Sequence, residues 1–450
     1  MDLKAKKVAV IGVGKTGLAT ARFLAGREAR IAVTDLKPRS AWGEASAALE
    51  SLHAALTVAP YGPEILTDAD LVVPSPGVYP DNPILAEAVR RGIPVLSEIE
   101  LAWRFLKTPL VAITGTNGKT TVTSLIGEIL RGAGKKVFVG GNIGAPLIGY
   151  VDGPQGADWA VVEVSSFQLQ WAQTFHPRIA VLLNVTTDHI DYHGSFHAYR
   201  KIKEGIFARQ NASDLAILNA DEETTASLRE RLTARTELFS SSDAVDHGMF
   251  LSGETLVHLL PAGEKEEYPL AMIHLPGRHN CENVMAAILA ARACGCPPRV
   301  IIRGVGGFRG IAHRIEYAGE KNGVLFYDDS KGTNVGAVMR ALLSFSQPVV
   351  LLLGGRDKEG DFQTLAPLIR RGVKEMVLFG EAREKINGLV GGVVKTTLAP
   401  TMKEAMEKAY SSASAGDVVL LSPGCASFDE FKDYKERGDR FQEWVRQPKG

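Results

Sequence analysis

The stretch Ile113-Thr114-Gly115-Thr116-Asn117-Gly118-Lys119-Thr120-Thr121 constrains this chain more than any other. Before it runs Leu110-Val111-Ala112-Ile113, apolar in the manner of a buried strand. After it Val122-Thr123-Ser124-Leu125-Ile126-Gly127-Glu128-Ile129-Leu130 carries apolar residues at helical spacing. A strand that turns through glycines into a helix aims backbone N–H groups and the positive helix end at one place, which makes a phosphate cradle. Lys119 then reaches the outer phosphates and the Thr120 hydroxyl binds Mg²⁺, with Gly115, Thr116, Asn117, Gly118 and Thr121 completing the turn. The spelling is local, because two residues separate Gly115 from Gly118 where the general phosphate loop has four between its glycines.

A chain of 450 residues is too long for one core, so two or three domains are expected. Lys+Arg 51 balances Asp+Glu 51, and no overall charge points to nucleic acid or an acidic membrane as partner. The 4 cysteines, Cys281, Cys294, Cys296 and Cys425, contain no C-x-x-C pair, which argues against a zinc site or a disulfide framework and suits a reducing cytoplasm. Val8-Ala9-Val10-Ile11-Gly12 is too short and glycine-bound for a signal peptide, and no apolar run has membrane-spanning length. A cytoplasmic, monomeric protein acting on small molecules, without nucleic acid or membrane partners, is the expectation.

Three α/β segments are legible, with expected limits 1–107, 108–310 and 311–450. The first opens with Lys7-Val8-Ala9-Val10-Ile11, turns through Gly12-Val13-Gly14-Lys15-Thr16-Gly17, and reaches a second strand ending at Asp35. That G-x-G-x-x-G with a later acid reads as a dinucleotide fingerprint, yet a UDP group, also a diphosphate with a ribose, satisfies it equally. A further strand ends in Ser75-Pro76-Gly77. In the second segment, Trp159-Ala160-Val161-Val162 runs into Glu163 and Ile179-Ala180-Val181-Leu182-Leu183 leads to His189. Ligands of parallel sheets bind beyond the carboxyl ends of strands, so Lys119, Glu163 and His189 converge on one edge suited to Mg²⁺ and phosphate. The third segment collects polar residues at strand ends, in Asp328-Asp329-Ser330-Lys331-Gly332-Thr333-Asn334 and Ser422-Pro423-Gly424-Cys425-Ala426-Ser427. Residues 306–310, Gly-Gly-Phe-Arg-Gly, read as a flexible hinge before it.

The motif at 114–121, Glu163-Val164-Ser165-Ser166-Phe167-Gln168-Leu169, residues 184–193 and Gly277-Arg278-His279-Asn280-Cys281-Glu282-Asn283 together resemble the ATP-dependent Mur ligases of peptidoglycan precursor synthesis, over essentially the whole chain. The resemblance implies a Rossmann-like UDP-binding domain, a P-loop-type ATPase domain and a C-terminal Rossmann-like domain. It turns the first glycine loop from an NAD site into a UDP site. Asp329-Ser330-Lys331-Gly332-Thr333-Asn334 is similar to the D-glutamate-adding branch, and the Asn-Pro-Arg motif of the diaminopimelate-adding branch is absent. The implied substrates are UDP-N-acetylmuramoyl-L-alanine, D-glutamate and ATP. The implied metal is Mg²⁺ on Thr120, Glu163 and His189, joined by Lys203 where that lysine is carbamylated. Lys119, Glu163, His189 and Lys203 are the implied catalytic set. Asn280, Asn283, His313, Arg314, Asp329 and Lys331 would contact ATP; Thr16, Asp35, Ser75, Gly77, Asn142 and Ser165 the UDP substrate; Thr333, Lys358, Ser427 and Tyr434 D-glutamate. Tyr434 stands where the branch often has phenylalanine. Three rivals compete. A dehydrogenase leaves the phosphate cradle idle, and a nucleotide switch has no need of Glu163, His189 and Lys203 together. A folate-extending cousin lacks the UDP-type first domain.

Overall fold

The apolar runs become strands buried on both faces, and they assemble into three sheets. The computed structural model describes residues 1–52, 56–260, 263–357 and 360–447. The first sheet is parallel, in the order Leu56–Val58, Arg30–Thr34, Lys7–Ile11, Leu71–Pro74. Its central strand divides its side chains between two cores. Val8 and Val10 pack with Phe23 and Leu24, and Ala9 and Ile11 with Ile65, Ile84 and Leu85. This is the two-residue period of a strand covered on both faces. Each such large apolar side chain contributes about 1.5–3 kcal/mol on burial.

The second sheet has nine strands. Leu110–Thr114, which feeds the phosphate turn, lies between Trp159–Glu163 and Ile179–Leu182, all parallel. The strands leading to Lys119, Glu163 and His189 are therefore immediate neighbours, and their carboxyl ends share one edge. Val137–Gly141 flanks Trp159–Glu163, and Leu215–Asn219, Arg235–Ser240 and Gly248–Ser252 continue the parallel run on the other side. The hairpin Thr255–Leu259 and Lys265–Pro269 then extends it in antiparallel fashion.

The third sheet orders its strands Glu316–Lys321, Val324–Asp328, Val418–Gly424, Val349–Gly354, Val373–Phe379, Lys395–Ala399, parallel except for the first pair. The chain divides into two compact units. The first two sheets belong to residues 1–273 and 281–307, and the third to 274–280 and 308–450. The expected hinge at 306–310 needs one correction: Gly306 and Gly307 close the helix Pro298–Gly307 rather than lying in a loop.

Helix Tyr434–Arg446 packs on the hairpin Glu316–Lys321 and Val324–Asp328. Gly438 permits that approach, because a Cβ there would overlap His313 Nδ1 and stand 2.7 Å from Asp328 Oδ2. Gly438→Ala should therefore destabilise the protein by about 1–3 kcal/mol, although alanine favours a helix interior by about 1 kcal/mol over glycine. Thermal denaturation checks this, and an unchanged or raised midpoint would show that the helix shifts freely.

Candidate active site

The phosphate turn is built by its own backbone and by the neighbouring strand end. Gly118 caps the helix Lys119–Gly132 with φ +83°, a left-handed conformation open to glycine, and a Cβ there would overlap the Asn283 Oδ1 atom. Asn117 N donates to Asn184 Oδ1 at 2.8 Å, and Thr116 N to Asn184 O at 2.8 Å. Thr116 Oγ1 lies 3.1 Å from the Tyr199 hydroxyl and accepts from Thr186 N at 3.0 Å. Lys119 Nζ donates to Gly115 O and Thr116 O, both at 2.9 Å, so its cation rests on the turn itself. Thr120 and Thr121 occupy the first turn of the helix and are half-buried.

Glu163 ends the adjoining strand and is 2% exposed. Its Oε1 accepts from Asn142 Nδ2 at 2.9 Å, and Asn142 N donates to Glu163 O at 2.9 Å. Its Oε2 is buried without a hydrogen-bond partner among the described residues. A buried polar oxygen left without a partner is costly. Together with the hydroxyl of Thr120 it fits a hard divalent cation that takes oxygen ligands. His189 follows the third strand, exposed and left-handed at φ +51°, 3.5 Å from Asp188 Oδ2 and with its ring 4.8 Å from that of Phe167.

Lys203 comes from helix Phe196–Glu204 and is 1% exposed, whereas Lys201 two positions earlier faces solvent. Its Nζ donates to Gly115 O at 2.8 Å and lies 4.7 Å from the centre of the Tyr199 ring. Burial, then the Lys119 charge, lowers its pKa to about 7, against the opposing pull of Asp188 and Glu163. Lys119, Glu163, Asp188 and Lys203 thus share one electrostatic neighbourhood.

At the edge of the first sheet Asp35 braces the glycine turn, its Oδ2 accepting from Val13 N at 2.7 Å and its Oδ1 from Lys37 N at 2.9 Å. Ser75 Oγ donates to Gly12 O at 3.2 Å, Gly77 follows at φ +91°, and Thr16 lies in the first turn of helix Lys15–Ala25. Ser165 caps the short helix Ser166–Leu169 in a reciprocal box with Gln168.

In the second unit Asp329 is 4% exposed, its Oδ2 accepts from Ser422 Oγ at 2.7 Å, and burial pushes its carboxyl up to about 7. His313 Nδ1 donates to Asp328 Oδ2 at 2.7 Å, a contact that raises its pKa; Arg314 beside it is exposed. Lys331 Nζ lies 5.7 Å from the centre of the Tyr434 ring. Thr333, Asp357 and Gly424 line an open cleft of about 390 Å³, and Ser427 is buried. Asn280 Nδ2 donates to Pro276 O at 2.7 Å. Lys358 lies outside the described residues.

Several functional-looking side chains carry no strong signal in the sequence. Asn184 and Tyr199 reach the turn from 67 and 83 residues away. Arg437 is wholly buried, binds Ser330 Oγ at 2.9 Å, Ser330 O at 2.8 Å and Cys425 O at 3.1 Å, and so joins the 329–334 motif to the 422–427 motif. His193 is half-buried, 3.0 Å from Ser166 Oγ, and stacks near Phe167.

Three family descriptions match the chain: Mur ligase MurD-like, N-terminal domain, over residues 6–97; Mur ligase middle domain, over 113–291; and Mur ligase, glutamate ligase domain, over 313–425. The UDP-N-acetylmuramoylalanine--D-glutamate ligase of Syntrophus aciditrophicus is 58% identical over 447 residues, 99% of each chain. The protein of the same name from Geobacter metallireducens is 43% identical over 442 residues, 98% of this chain and 97% of its own. Among solved structures, the UDP-N-acetylmuramate-alanine ligase of Thermotoga maritima superposes with a TM-score of 0.57 at 19% identity, covering 97% of this chain and 98% of its own. A MurF ligase of the same organism, in complex with ADP, does so with 0.57 at 16%, covering 99% and 98%. These two likenesses concern the fold.

Proposed function

The chain belongs to the Mur ligase family, and from that premise we propose that it is the ATP-dependent ligase that joins D-glutamate to UDP-N-acetylmuramoyl-L-alanine, releasing ADP and phosphate, in peptidoglycan precursor synthesis. The observation that carries this reading is the buried Glu163 with one bare oxygen, in the same neighbourhood as Lys119 and Lys203 beside the phosphate turn. Identity of 58% to a ligase of that name along the full chain selects the substrates.

A carboxylate is a poor acyl donor in water, so it must first be activated. The alanyl carboxylate attacks the γ-phosphate of ATP and yields an acyl phosphate. The amine of D-glutamate, its ammonium proton given up to solvent, then attacks the acyl carbon, and the tetrahedral intermediate expels phosphate and releases the surplus N–H proton to leave the amide. Neither step asks the protein for covalent chemistry; positioning and charge neutralisation suffice. The backbone N–H groups of residues 118–121, at the start of helix Lys119–Gly132, and the Lys119 ammonium receive the phosphate charge. Thr120, Glu163 and His189, with Lys203 if carbamylated, would hold Mg²⁺, which when bound adds to that neutralisation. Asn142 and Ser165 orient the acyl end of the UDP substrate, while Thr16, Asp35, Ser75 and Gly77 hold its nucleotide end. Asn280, Asn283, His313, Arg314, Asp329 and Lys331 contact ATP; Thr333, Lys358, Ser427 and Tyr434 hold D-glutamate. The residue sets are carried over from the family position by position, the division of the UDP-substrate set between its two ends rests on Asn142 and Ser165 lying beside Glu163, and the domain limits at 107 and 310 are those read from the sequence. Among the described residues no helix is long and apolar enough to cross a membrane. The reaction belongs in the cytoplasm, where ATP is available, and a monomer suffices because one chain carries all three domains.

A phosphate-release assay with UDP-N-acetylmuramoyl-L-alanine, ATP and a panel of amino acids tests the reading. D-glutamate alone should give phosphate and ADP; an equal response to L-glutamate or diaminopimelate would overturn the choice of acceptor.

A further inference from the structure

Glu98 opens helix Glu98–Trp103, is 1% exposed, and takes no part in the chemistry above. Its two oxygens reach in different directions. One accepts from Ile148 N at 2.7 Å, in the first turn of helix Leu147–Val151. The other accepts from Gln168 Nε2 at 3.4 Å. The opposite end of that amide, Gln168 Oε1, accepts from Ser165 N at 3.0 Å and Ser165 Oγ at 3.1 Å, and Gln168 N donates back to Ser165 Oγ at 3.3 Å.

An ionised carboxylate can only accept hydrogen bonds, so it decides which way the Gln168 amide faces. The amide in turn decides where the Ser165 hydroxyl points. On the other side, helix Leu147–Val151 directly follows the turn that carries Asn142, whose Nδ2 donates to Glu163 Oε1. A single buried side chain therefore braces both walls beside Glu163. Glu98 and Gln168 also line one small pocket with Ser75. Burial pushes the Glu98 carboxyl up to about 7 despite these donors, so the fold keeps an acceptor there at a cost.

We propose that Glu98 is a positioning residue for the acyl end of the UDP-linked substrate, aiming Ser165 through Gln168 and holding the Asn142 turn through Ile148. The assignment rests on the reading of Ser165 and Asn142 as substrate contacts. In Glu98→Gln the shape is kept and the Ile148 bond can survive, but the new amide then presents its donor to the donor of Gln168. The double variant Glu98→Gln/Gln168→Glu reverses the sense of that bond and restores an acceptor for Ser165.

The test is calorimetric affinity for UDP-N-acetylmuramoyl-L-alanine at a pH above 7, with Michaelis constants for ATP and D-glutamate and the melting midpoint, on full-length protein. Glu98→Gln should weaken the UDP substrate about tenfold or more, leave the other two constants within about twofold, and the double variant should regain most of the loss. Wild-type affinity in Glu98→Gln overturns the proposal. So does a parallel decline of all three constants with the melting midpoint, or a double variant no better than the single. Should Glu98→Gln fail to fold, Gln168→Met severs the same arm and must show the same selective loss. A wild-type protein that binds the UDP substrate but does not ligate D-glutamate overturns the reaction, while the binding measurement still decides the role of Glu98.

Discussion

Lys119→Ala should lower ATP-dependent ligation by about 10³-fold or more, the scale on which a preorganised charge at a transferring phosphoryl group acts. Affinity for the UDP substrate should stay within about threefold, because the first-sheet groups that would hold its nucleotide end are made independently. In the structure the Lys119 ammonium sits on Gly115 O and Thr116 O, both at 2.9 Å. Those carbonyls hold the cation over the turn. Removing the side chain also removes two charge-assisted hydrogen bonds that help shape the turn, worth about 1.5–3 kcal/mol each. Lys119→Met loses the charge and both hydrogen bonds but keeps the aliphatic stem, so its comparison with Lys119→Ala isolates the packing of that stem. Both variants should lose turnover alike, with similar melting midpoints. Turnover within tenfold of wild type in either would sink the phosphate role of Lys119.

What the sequence makes legible here, and what it hides, follows from distance along the chain. The strand Leu110–Thr114 and helix Lys119–Gly132 are local patterns with a glycine turn between them, so the turn can be read directly. Glu163 is legible because the polar residue that ends an apolar run faces the edge where ligands of parallel sheets bind. The bare Oε2 of that same residue is not legible, since it depends on Asn142 taking the other oxygen from the next strand. Asn184 and Tyr199 close the phosphate turn by contacts that no spacing rule reaches. Glu98 misleads for a different reason. An acid at the first position of a helix ordinarily reads as a solvated charge favoured by the helix dipole, yet here it is buried under two other elements. The hairpin Thr255–Leu259 and Lys265–Pro269 extends that sheet in antiparallel fashion, and its sequence carries none of the glycine-turn or strand-end motifs that mark the other strands.

Lys203 should combine two behaviours that rarely coincide: its loss abolishes activity and stabilises the fold. The side chain is 1% exposed and shares its corner with the Lys119 cation. Its pKa falls from 10.5 to about 7, so between those values the unfolded chain holds a proton that the folded one has released. Stability therefore rises with pH across that window, and the burden is greatest below about 7. Lys203→Met should be more stable than wild type in CO₂-free buffer by on the order of 2–4 kcal/mol at neutral pH and below, with the advantage shrinking toward pH 10. Denaturant titrations across pH read this directly; a variant less stable than wild type at low pH would contradict the burial cost. The released proton has a chemical consequence, because a neutral amine can attack the carbon of CO₂, lose a proton to solvent and become a carbamate. The neutral amine thereby becomes an anion in the neighbourhood of Glu163, and a side chain that repels Mg²⁺ when protonated becomes one that can bind it. Wild-type protein equilibrated with ¹³C-bicarbonate should show a carbamate carbon signal that Lys203→Met lacks. Lys203→Ala should lose ligation by about 10²-fold or more and regain part of it with acetate or propionate in the vacated space. Absence of both the signal and the rescue would leave Lys203 as a buried lysine that only hydrogen-bonds Gly115, and would remove it from the metal site.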